Sequence, residues 1–246
     1  MNMSNSIEQT PCELIFDLDG TLSDPALGFV RSVNYSLEAH GISPFEEDDL
    51  KKFIGPPLDG AFREILHFDQ DKDVSSYVSK YRERYSDVGF SENTLYPGIP
   101  DVLVALRGLG FRLGVCTSKR VDFAERILTL FNIRDHFDFV HGAEVGIKKS
   151  SQLKELLAQN FINTHSIMIG DRHVDIEAAK ANSMSSVGVL YGYGSKQEIE
   201  KANPEWIATD PKDLLNIFKD LTFKDTKGPE RKTLYPSRGD FGVLLF

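Results

Sequence analysis

The sequence contains only two cysteines in 246 residues, Cys12 and Cys116. Two thiols do not make a disulfide framework, and the apolar run that ends at Cys116 predicts a buried thiol there. No apolar run approaches the roughly 20 residues that a membrane-spanning helix needs. The segment Met1–Glu13 does not combine a cationic start with an apolar stretch, so no secretion signal is evident. These absences predict a cytoplasmic protein without a membrane partner.

Basic residues are also in the minority, because 28 Lys and Arg face 37 Asp and Glu, for a formal charge of −9. Broad binding to a nucleic-acid polymer or an anionic membrane needs a basic surface, so neither is expected as a partner. A small phosphate substrate is not excluded, because local cations and a metal ion can offset the acidic background. The composition, 41% hydrophobic and 26% charged, is that of an ordinary globular protein.

Five short apolar runs have the length of strands that are buried on both faces. They are Glu13–Asp17, Phe111–Cys116, Phe137–His141, Ser166–Gly170 and Ser186–Leu190. The helical patterns between them are Ile99–Leu109, Val121–Phe131, Ser151–Asn160 and Val174–Ala181. This alternation, which continues from about Tyr96 to Leu221, predicts the α/β class with a doubly wound parallel sheet.

The segment between the first strand and this alternating region has a different pattern. It contains four helical stretches and no convincing strand: Phe29–His40, Glu46–Phe53, Leu58–Leu66 and Val74–Val88. We therefore predict a discontinuous core domain of residues 1–23 and 95–222, with a helical cap domain inserted at 24–94. The tail, residues 223–246, ends in the apolar run Phe241–Phe246. This apolar run could add an edge strand to the sheet, pack on the body of the protein or mediate self-association.

Two carboxylates, Asp17 and Asp19, follow the first predicted strand and precede Gly20. Negative charges this close repel each other unless a cation is bound, and Mg²⁺ favours carboxylate, carbonyl and water oxygens. Taken alone, the segment also fits an acidic turn, because Asp-Gly is a common hairpin signal.

Hydroxyl groups and cations follow in two further motifs. The segment Thr117–Lys119 comes directly after a predicted strand, where a hydroxyl and backbone N–H groups can bind phosphate oxygens. Lys148 and Lys149 precede a predicted helix, where an ammonium group would neutralise phosphate charge. In isolation, a helix cap explains Thr117 and Ser118 equally well, and a solvated surface explains the lysines better.

The fourth motif, Gly170–Asp175, follows another predicted strand. Asp171 would point from the strand end, and Asp175 lies four residues on, within reach if a helix begins between them. The alternative is that Asp171 caps a helix and Asp175 is exposed. All four motifs, however, lie in order at one edge of one sheet, where doubly wound folds place their active sites. Four unrelated structural explanations are therefore the weaker interpretation.

These motifs resemble the four signature motifs of the haloacid dehalogenase superfamily, and the resemblance covers the chain from Glu13 to about Leu221. Within the superfamily, the chain is similar to phosphoglycolate phosphatase-like proteins and, more closely, to their bacterial 5′-nucleotidase-like relatives. The closer match is carried by Phe53–Leu58, Tyr96–Pro100, Asp171–Asp175 and Gly188–Ser195. The resemblance implies a Rossmann-like core and a helical cap that closes over the site.

The resemblance also implies a reaction, the hydrolysis of a small phosphate monoester by a monomer or homodimer. The implied substrate is a nucleoside 5′-monophosphate or a phosphoglycolate-like ester. In the implied mechanism, Asp17 is the nucleophile that forms an aspartyl-phosphate, and Asp19 is the acid–base group. The phosphate is bound by Gly20, Thr117, Ser118 and Lys149. The Mg²⁺ site is formed by Asp17, Asp19, Asp171 and Asp175. Asp19 favours phosphoryl chemistry over dehalogenation, because a leaving halide needs no proton. A sugar phosphomutase and a catalytically silent phosphate-binding protein are the alternatives.

Two points stay open in the sequence. Phosphoglycolate phosphatases usually place a proline after the catalytic lysine, whereas Ser150 follows Lys149, so Lys148 is an alternative. We favour Lys149, because its spacing to the following leucines fits the family better.

In the cap, Gly55–Pro57 is predicted to form a rigid loop over the site. Lys52 and Arg63 are candidates for contacting a distal anionic group, although solvated helix faces explain them equally well.

Overall fold

The computed structural model describes residues 13–55, 57–144 and 146–225. Cys12 and the predicted tail from residue 226 onward lie outside the described residues. The strands are β1 (Glu13–Phe16), β2 (Ser23–Asp24), β3 (Thr94–Leu95), β4 (Arg112–Cys116), β5 (Phe139–His141), β6 (Ile167–Gly170), β7 (Ser185–Val189) and β8 (Trp206–Ala208). The helices are α1 (Ala26–Ala39), α2 (Glu47–Lys51), α3 (Leu58–Ile65), α4 (Ser75–Asp87), α5 (Ile99–Gly108), α6 (Val121–Leu130), α7 (Lys149–Ala158), α8 (His173–Ala181), α9 (Lys196–Ala202) and α10 (Asp213–Asp225).

Six parallel strands form the main sheet in the order β5-β4-β1-β6-β7-β8. The central strand β1 pairs with β4 on one side and β6 on the other, and its residues Leu14–Phe16 are fully buried. Burial on both faces explains why this strand is a continuous apolar run without alternation. The predicted α/β class and the doubly wound parallel sheet are therefore confirmed.

The five predicted strands are all present, within a few residues of their predicted ends. The prediction missed β8, whose three residues are too few and too unevenly buried to give a pattern. It also missed α9, a seven-residue helix, and it placed the start of α7 at Ser151 although the helix begins at Lys149. The last helix, α10, extends to Asp225, beyond the predicted core limit at residue 222. In the described ranges, no helix is both long and apolar enough to cross a bilayer.

Helices α1–α4, called the cap helices below, form the segment that interrupts the sheet. They enclose a second apolar cluster that includes Val33, Leu37, Phe62 and Tyr85, apart from the main core on the sheet. The chain leaves the core through β2 and returns through β3, and these two-residue strands pair antiparallel, Ser23 with Leu95 and Asp24 with Thr94. The described residues between these two strands contain no strand, as predicted for about Pro25 to Asn93, and the ribbon holds both connections to the cap helices together.

The Cys116 side chain at the end of β4 is fully buried, as its apolar surroundings predict. Burial raises the pKa of the Cys116 thiol to about 12, so the group stays neutral at physiological pH. The residue therefore packs as a small apolar side chain and offers no reactive thiolate.

Gly114, in the middle of β4, faces the Phe139 ring of β5 so closely that a Cβ atom at this position would overlap the ring. We predict that Gly114→Ala destabilises the protein by about 1–3 kcal/mol through overpacking. In a chain of this size, the melting temperature falls by roughly 2–4 °C per kcal/mol, which thermal unfolding measures.

The matched control is Gly108→Ala, at the end of α5, where a new Cβ would meet nothing within 4 Å. Its melting temperature should stay unchanged or rise slightly, because alanine favours a helix over glycine. Equal melting temperatures for the two variants would contradict the close packing of Gly114 on Phe139.

Candidate active site

Three site residues follow the carboxyl ends of the three central strands. Asp17 comes directly after β1, Thr117 after β4 and Asp171 after β6, and β1 lies between the other two strands. Because the strands are parallel, their carboxyl ends meet at the same edge of the sheet. The fold therefore brings together side chains that are more than 150 residues apart in the sequence.

The carboxylates of Asp17, Asp171 and Asp175 form one buried cluster. One oxygen of each lies within 4.8 Å of the others, and the three residues are at most 3% exposed. Gly20 makes this approach possible, because its φ is +87° and a Cβ atom there would overlap the Asp171 carboxylate. Glycine at this position is thus required both by the backbone conformation and by the contact with Asp171.

The ammonium group of Lys149, the first residue of α7, enters this cluster. Its Nζ lies 3.0 Å from Asp17 Oδ1 and donates a hydrogen bond to Asp175 Oδ1. The second oxygen of Asp175 accepts a hydrogen bond from the Arg172 backbone N–H at 3.0 Å. Lys149 is 5% exposed, whereas Lys148 is exposed to solvent. The structure therefore places Lys149, and not Lys148, beside the carboxylates.

Burial and charge shift the pKa values of this cluster. Burial raises the pKa of Asp171 well above its usual value, and the carboxylates of Asp175 and Asp17 raise it further. Burial also raises the pKa of Asp175, although Lys149 opposes the shift. For Lys149, burial lowers the pKa, but the two adjacent carboxylates outweigh it and hold the ammonium group protonated. Three carboxylates against one ammonium leave an excess of negative charge in a buried place.

The donor set fits a hard divalent cation. Asp171 Oδ1 is buried and has no hydrogen-bond partner within the described part of the chain, and Asp17 Oδ1 makes no well-formed hydrogen bond despite its closeness to Lys149. Such oxygens are costly to bury unless something positive binds them. Mg²⁺ prefers oxygen ligands of this kind, so the residues present are suitable for it.

Thr117 and Ser118 line the cavity beside Asp17, at the start of the segment that leads into α6. The Thr117 backbone is held on both sides, because its N–H donates to the His141 carbonyl and its own carbonyl accepts from the Gln152 side chain. The Thr117 Oγ1 accepts a 3.3 Å bond from the Lys119 backbone N–H. The structure thus brings both predicted phosphate-binding hydroxyl residues to the cavity wall.

Lys119 ends the predicted Thr117–Lys119 motif, but the sequence analysis gave its side chain no role at the site. Its Nζ lies 2.8 Å from Asp19 Oδ2 and donates a 2.7 Å hydrogen bond to the Tyr85 hydroxyl of α4. Burial raises the pKa of Asp19, and Lys119 opposes this shift. Burial lowers the pKa of Lys119, but Asp19 and Tyr85 outweigh it and the pKa ends above its usual value. Its place in the motif alone does not separate it from a surface lysine, so its contacts could not be predicted.

The cap helices and their loop form the opposite wall of the cavity. The lining residues on this side include Phe29, Ile54, Gly55, Pro57, Leu58 and Arg82. Gly55 and Pro57 thus lie at the cavity as predicted, whereas Pro56 is outside the described residues. Arg172 of the core joins this loop, because its Nη1 donates a 2.5 Å hydrogen bond to the Ile54 carbonyl.

Lys52 and Arg63, the two cap cations suggested by the sequence, are not among the described residues that line the cavity. Arg63 forms a 2.6 Å ion pair with Asp59 one helical turn before it, and the exposed Lys52 lies over the Phe53 ring. Arg82 of α4 instead brings a cap guanidinium to the cavity. Lys52 is therefore solvated, as the alternative explanation has it, whereas the Arg63 side chain is only 20% exposed and is held by Asp59.

Comparison with known proteins gives concordant similarities over most of the chain. Residues 14–189 match the family model described as haloacid dehalogenase-like hydrolase. A relative in Pseudomonas aeruginosa named 5′-nucleotidase is 38% identical over 210 residues, which cover 84% of this chain and 95% of that protein. A phosphoglycolate phosphatase of Colwellia psychrerythraea is 30% identical, with 84% and 96% covered.

Two further similarities extend the comparison. A protein of Mycobacterium tuberculosis named tyrosine-protein kinase PtkA is 36% identical, over 81% of this chain and 69% of that protein. The crystal structure of a predicted phosphatase from Clostridium acetobutylicum is 34% identical and superposes with a TM-score of 0.81, covering 86% of this chain and all of that one. The matched region contains β1, β4 and β6 with the carboxylates, hydroxyls and lysine that follow them, and this chain therefore belongs to the haloacid dehalogenase-like hydrolase family.

Proposed function

We propose that this protein is a magnesium-dependent phosphohydrolase that acts on small phosphate monoesters through an aspartyl-phosphate on Asp17. The observation that carries the proposal is the buried cluster of Asp17, Asp171, Asp175 and Lys149, of which Asp17 lines the cavity together with Thr117. Membership of a hydrolase family, with relatives named 5′-nucleotidase and phosphoglycolate phosphatase, supports phosphoric monoester hydrolysis as the reaction class.

The residues that would hold Mg²⁺ are Asp17, Asp171 and the backbone carbonyl of Asp19. Bound there, Mg²⁺ would offset the excess negative charge and withdraw charge from the phosphoryl oxygens. Asp175 is the fourth residue of the predicted metal site, but both its oxygens already accept hydrogen bonds, from Lys149 and from the Arg172 backbone. This bonding favours an orienting role for Asp175, which holds Lys149 in place.

The steps of the reaction follow from the chain's own side chains. The Asp17 carboxylate attacks phosphorus in line and forms a covalent phosphoenzyme. Asp19 gives a proton to the leaving oxygen, and later takes one from the water that hydrolyses the intermediate. Lys149 and the Thr117 hydroxyl bind the phosphoryl oxygens, together with Ser118 and the backbone at Gly20. Most of the stabilisation is electrostatic, because the donors are already oriented in a buried site.

The inserted helices, residues 24–94, act in this proposal as a cap domain over the core domain of residues 1–23 and 95–222. The cavity lies between the two, with the phosphate-binding groups on one wall and Leu58 and Arg82 on the other. The cap therefore excludes water from the phosphoenzyme and contacts the leaving group. Which ester it selects depends on this wall, and the leading candidates are nucleoside 5′-monophosphates and phosphoglycolate.

We predict that Asp17→Asn lowers phosphate release by on the order of 10³-fold or more, because an amide cannot act as the nucleophile. Release of inorganic phosphate is measured with Mg²⁺ on nucleoside 5′-monophosphates, phosphoglycolate and hexose phosphates. The control is Asp71→Asn, which removes an exposed carboxylate of the cap segment and should keep wild-type rates. No release from any ester by the wild type would contradict the proposal, and an isomerised sugar phosphate without phosphate release would favour a phosphomutase.

We predict that Mg²⁺ raises the melting temperature of the wild type, whereas Asp171→Asn loses most of this shift. At a concentration about 100 times its Kd, a ligand that binds only the folded state stabilises by about 2.7 kcal/mol. Without Mg²⁺, Asp171→Asn should melt at the same temperature or higher, because the substitution removes one of the repelling carboxylates. Thermal unfolding in chelator and in Mg²⁺ measures both effects, and equal Mg²⁺ shifts in the two proteins would refute this site.

We predict that Lys149→Met destabilises the fold by about 3–5 kcal/mol, because it leaves Asp17 and Asp175 buried without their counter-charge. Phosphate release should fall by about 100-fold or more, since a phosphate-binding cation is lost as well. The matched control is Lys148→Met, one residue earlier and exposed, which should stay within about twofold of the wild type in rate. A loss of activity confined to Lys148→Met would show that the wrong lysine has been assigned.

A further inference from the structure

The side chain of Lys119 connects the core to a cap helix. Its Nζ contacts Asp19 Oδ2 at 2.8 Å and the Tyr85 hydroxyl at 2.7 Å, and its side chain is only 10% exposed. Asp19 belongs to the loop after β1, whereas Tyr85 belongs to α4. The two contacts therefore form a continuous connection from the cap to the proposed acid–base group.

The two oxygens of the Asp19 carboxylate have different environments. Oδ2 is paired with Lys119, whereas Oδ1 is buried and has no hydrogen-bond partner in the described part of the chain. Asp19 lines the cavity beside Asp17. An ion pair on one oxygen fixes the plane of a carboxylate, so Lys119 determines where the free oxygen Oδ1 lies.

Tyr85 is held firmly enough to position Lys119. It is 1% exposed, its ring stacks on Tyr81 at 5.2 Å, and its ring edge packs against Phe123 of the core helix α6 at 5.2 Å. Its hydroxyl accepts a 3.3 Å hydrogen bond from the Asn93 side chain in addition to the one from Lys119. The hydroxyl position is thus determined by both the cap helices and the core.

We propose that Lys119 and Tyr85 are positioning residues for the acid–base group. Tyr85 holds Lys119, and Lys119 holds Asp19 Oδ2, so that Oδ1 is aimed at the leaving oxygen when α4 lies against the core. This inference rests on the proposed function, in which Asp19 protonates the leaving group. As the P–O bond breaks, its electron pair stays on the ester oxygen, which takes the Asp19 proton and leaves a carboxylate beside Lys119. Protonation is thereby coupled to the position of the cap.

The leaving group itself provides the test, because a good leaving group departs without needing a proton. Phenyl phosphate and 4-nitrophenyl phosphate share a ring and differ mainly in the basicity of the alcohol that leaves. Asp19→Asn sets the reference: it should lower kcat about 100-fold or more on phenyl phosphate and much less on the nitrophenyl ester. Tyr85→Phe should lower kcat about tenfold on phenyl phosphate and less than about twofold on the nitrophenyl ester. Lys119→Met should also lower kcat on phenyl phosphate more than on the nitrophenyl ester, and its loss on phenyl phosphate should exceed that of Tyr85→Phe.

The matched control is Tyr35→Phe, which also removes a tyrosine hydroxyl. The Tyr35 hydroxyl of α1 donates a 2.5 Å hydrogen bond to Glu83 of α4, so this bond stays within the cap helices. It lies away from the cavity and should keep the wild-type ratio of the two rates. Equal losses on both esters in Tyr85→Phe, or no loss on either, would overturn the inference. If Tyr85→Phe melts below the assay temperature, Lys119→Met gives the same comparison.

The proposed function fails in a distinguishable way. If the wild type releases no phosphate from either ester, the phosphatase proposal is wrong and the positioning role falls with it. If the wild type is active but Asp19→Asn leaves the ratio of the two rates unchanged, the phosphatase proposal stands, but Asp19 is not the acid and the positioning inference falls. An active wild type with a ratio-changing Asp19→Asn and a normal ratio in Lys119→Met removes the positioning inference alone.

Discussion

The contact of Lys149 with the carboxylates of Asp17 and Asp175 is the interaction on which the site depends. Burying ions is expensive, and here three carboxylates share one buried ammonium, so the neutralisation is incomplete. In the proposed function, a cation that arrives from outside compensates this excess of negative charge. Within the described part of the chain, one oxygen of Asp171 has no hydrogen-bond partner, and Lys149 is held by two carboxylates, as such an imbalance would require. Charge, more than shape, is therefore the argument for placing a metal and a phosphate group together in this cavity.

The architecture serves this cluster by gathering distant segments at one sheet edge. The order β4-β1-β6 puts Asp17, the proposed nucleophile, in the centre, with Thr117 on one side and Asp171 on the other. Local bonds then refine the geometry: the Tyr193 backbone N–H donates to Asp171 Oδ2 at 2.7 Å, and Gly20 leaves room for the same carboxylate. Backbone groups thus hold Asp171 and one oxygen of Asp175, whereas Lys149 is held by carboxylate side chains.

Much of the fold and of the candidate site could be predicted from the sequence, because the signals are local. Continuous apolar runs marked five of the six sheet strands, and polar residues directly after them marked Asp17, Thr117 and Asp171. The role of Lys119 escaped prediction because its burial depends on Tyr85, 34 residues earlier on helix α4. The β8 strand escaped because three unevenly buried residues have no periodicity. Non-local packing, which no short pattern encodes, accounts for both omissions.

The two walls of the cavity have different roles in the proposed function: the core wall carries the phosphoryl chemistry and the cap wall contacts the leaving group. Every bond described for the cluster of Asp17, Lys149, Asp171 and Asp175 comes from the core, from side chains within it or from backbone groups of β6 and the following loops. The wall opposite is built from the cap helices and their loop, which contact this side of the core through Lys119, bonded to Tyr85, and through Arg172, bonded to the Ile54 carbonyl. In the proposed function, substitutions on that wall can therefore change which leaving group fits while the buried charges of the cluster stay as they are.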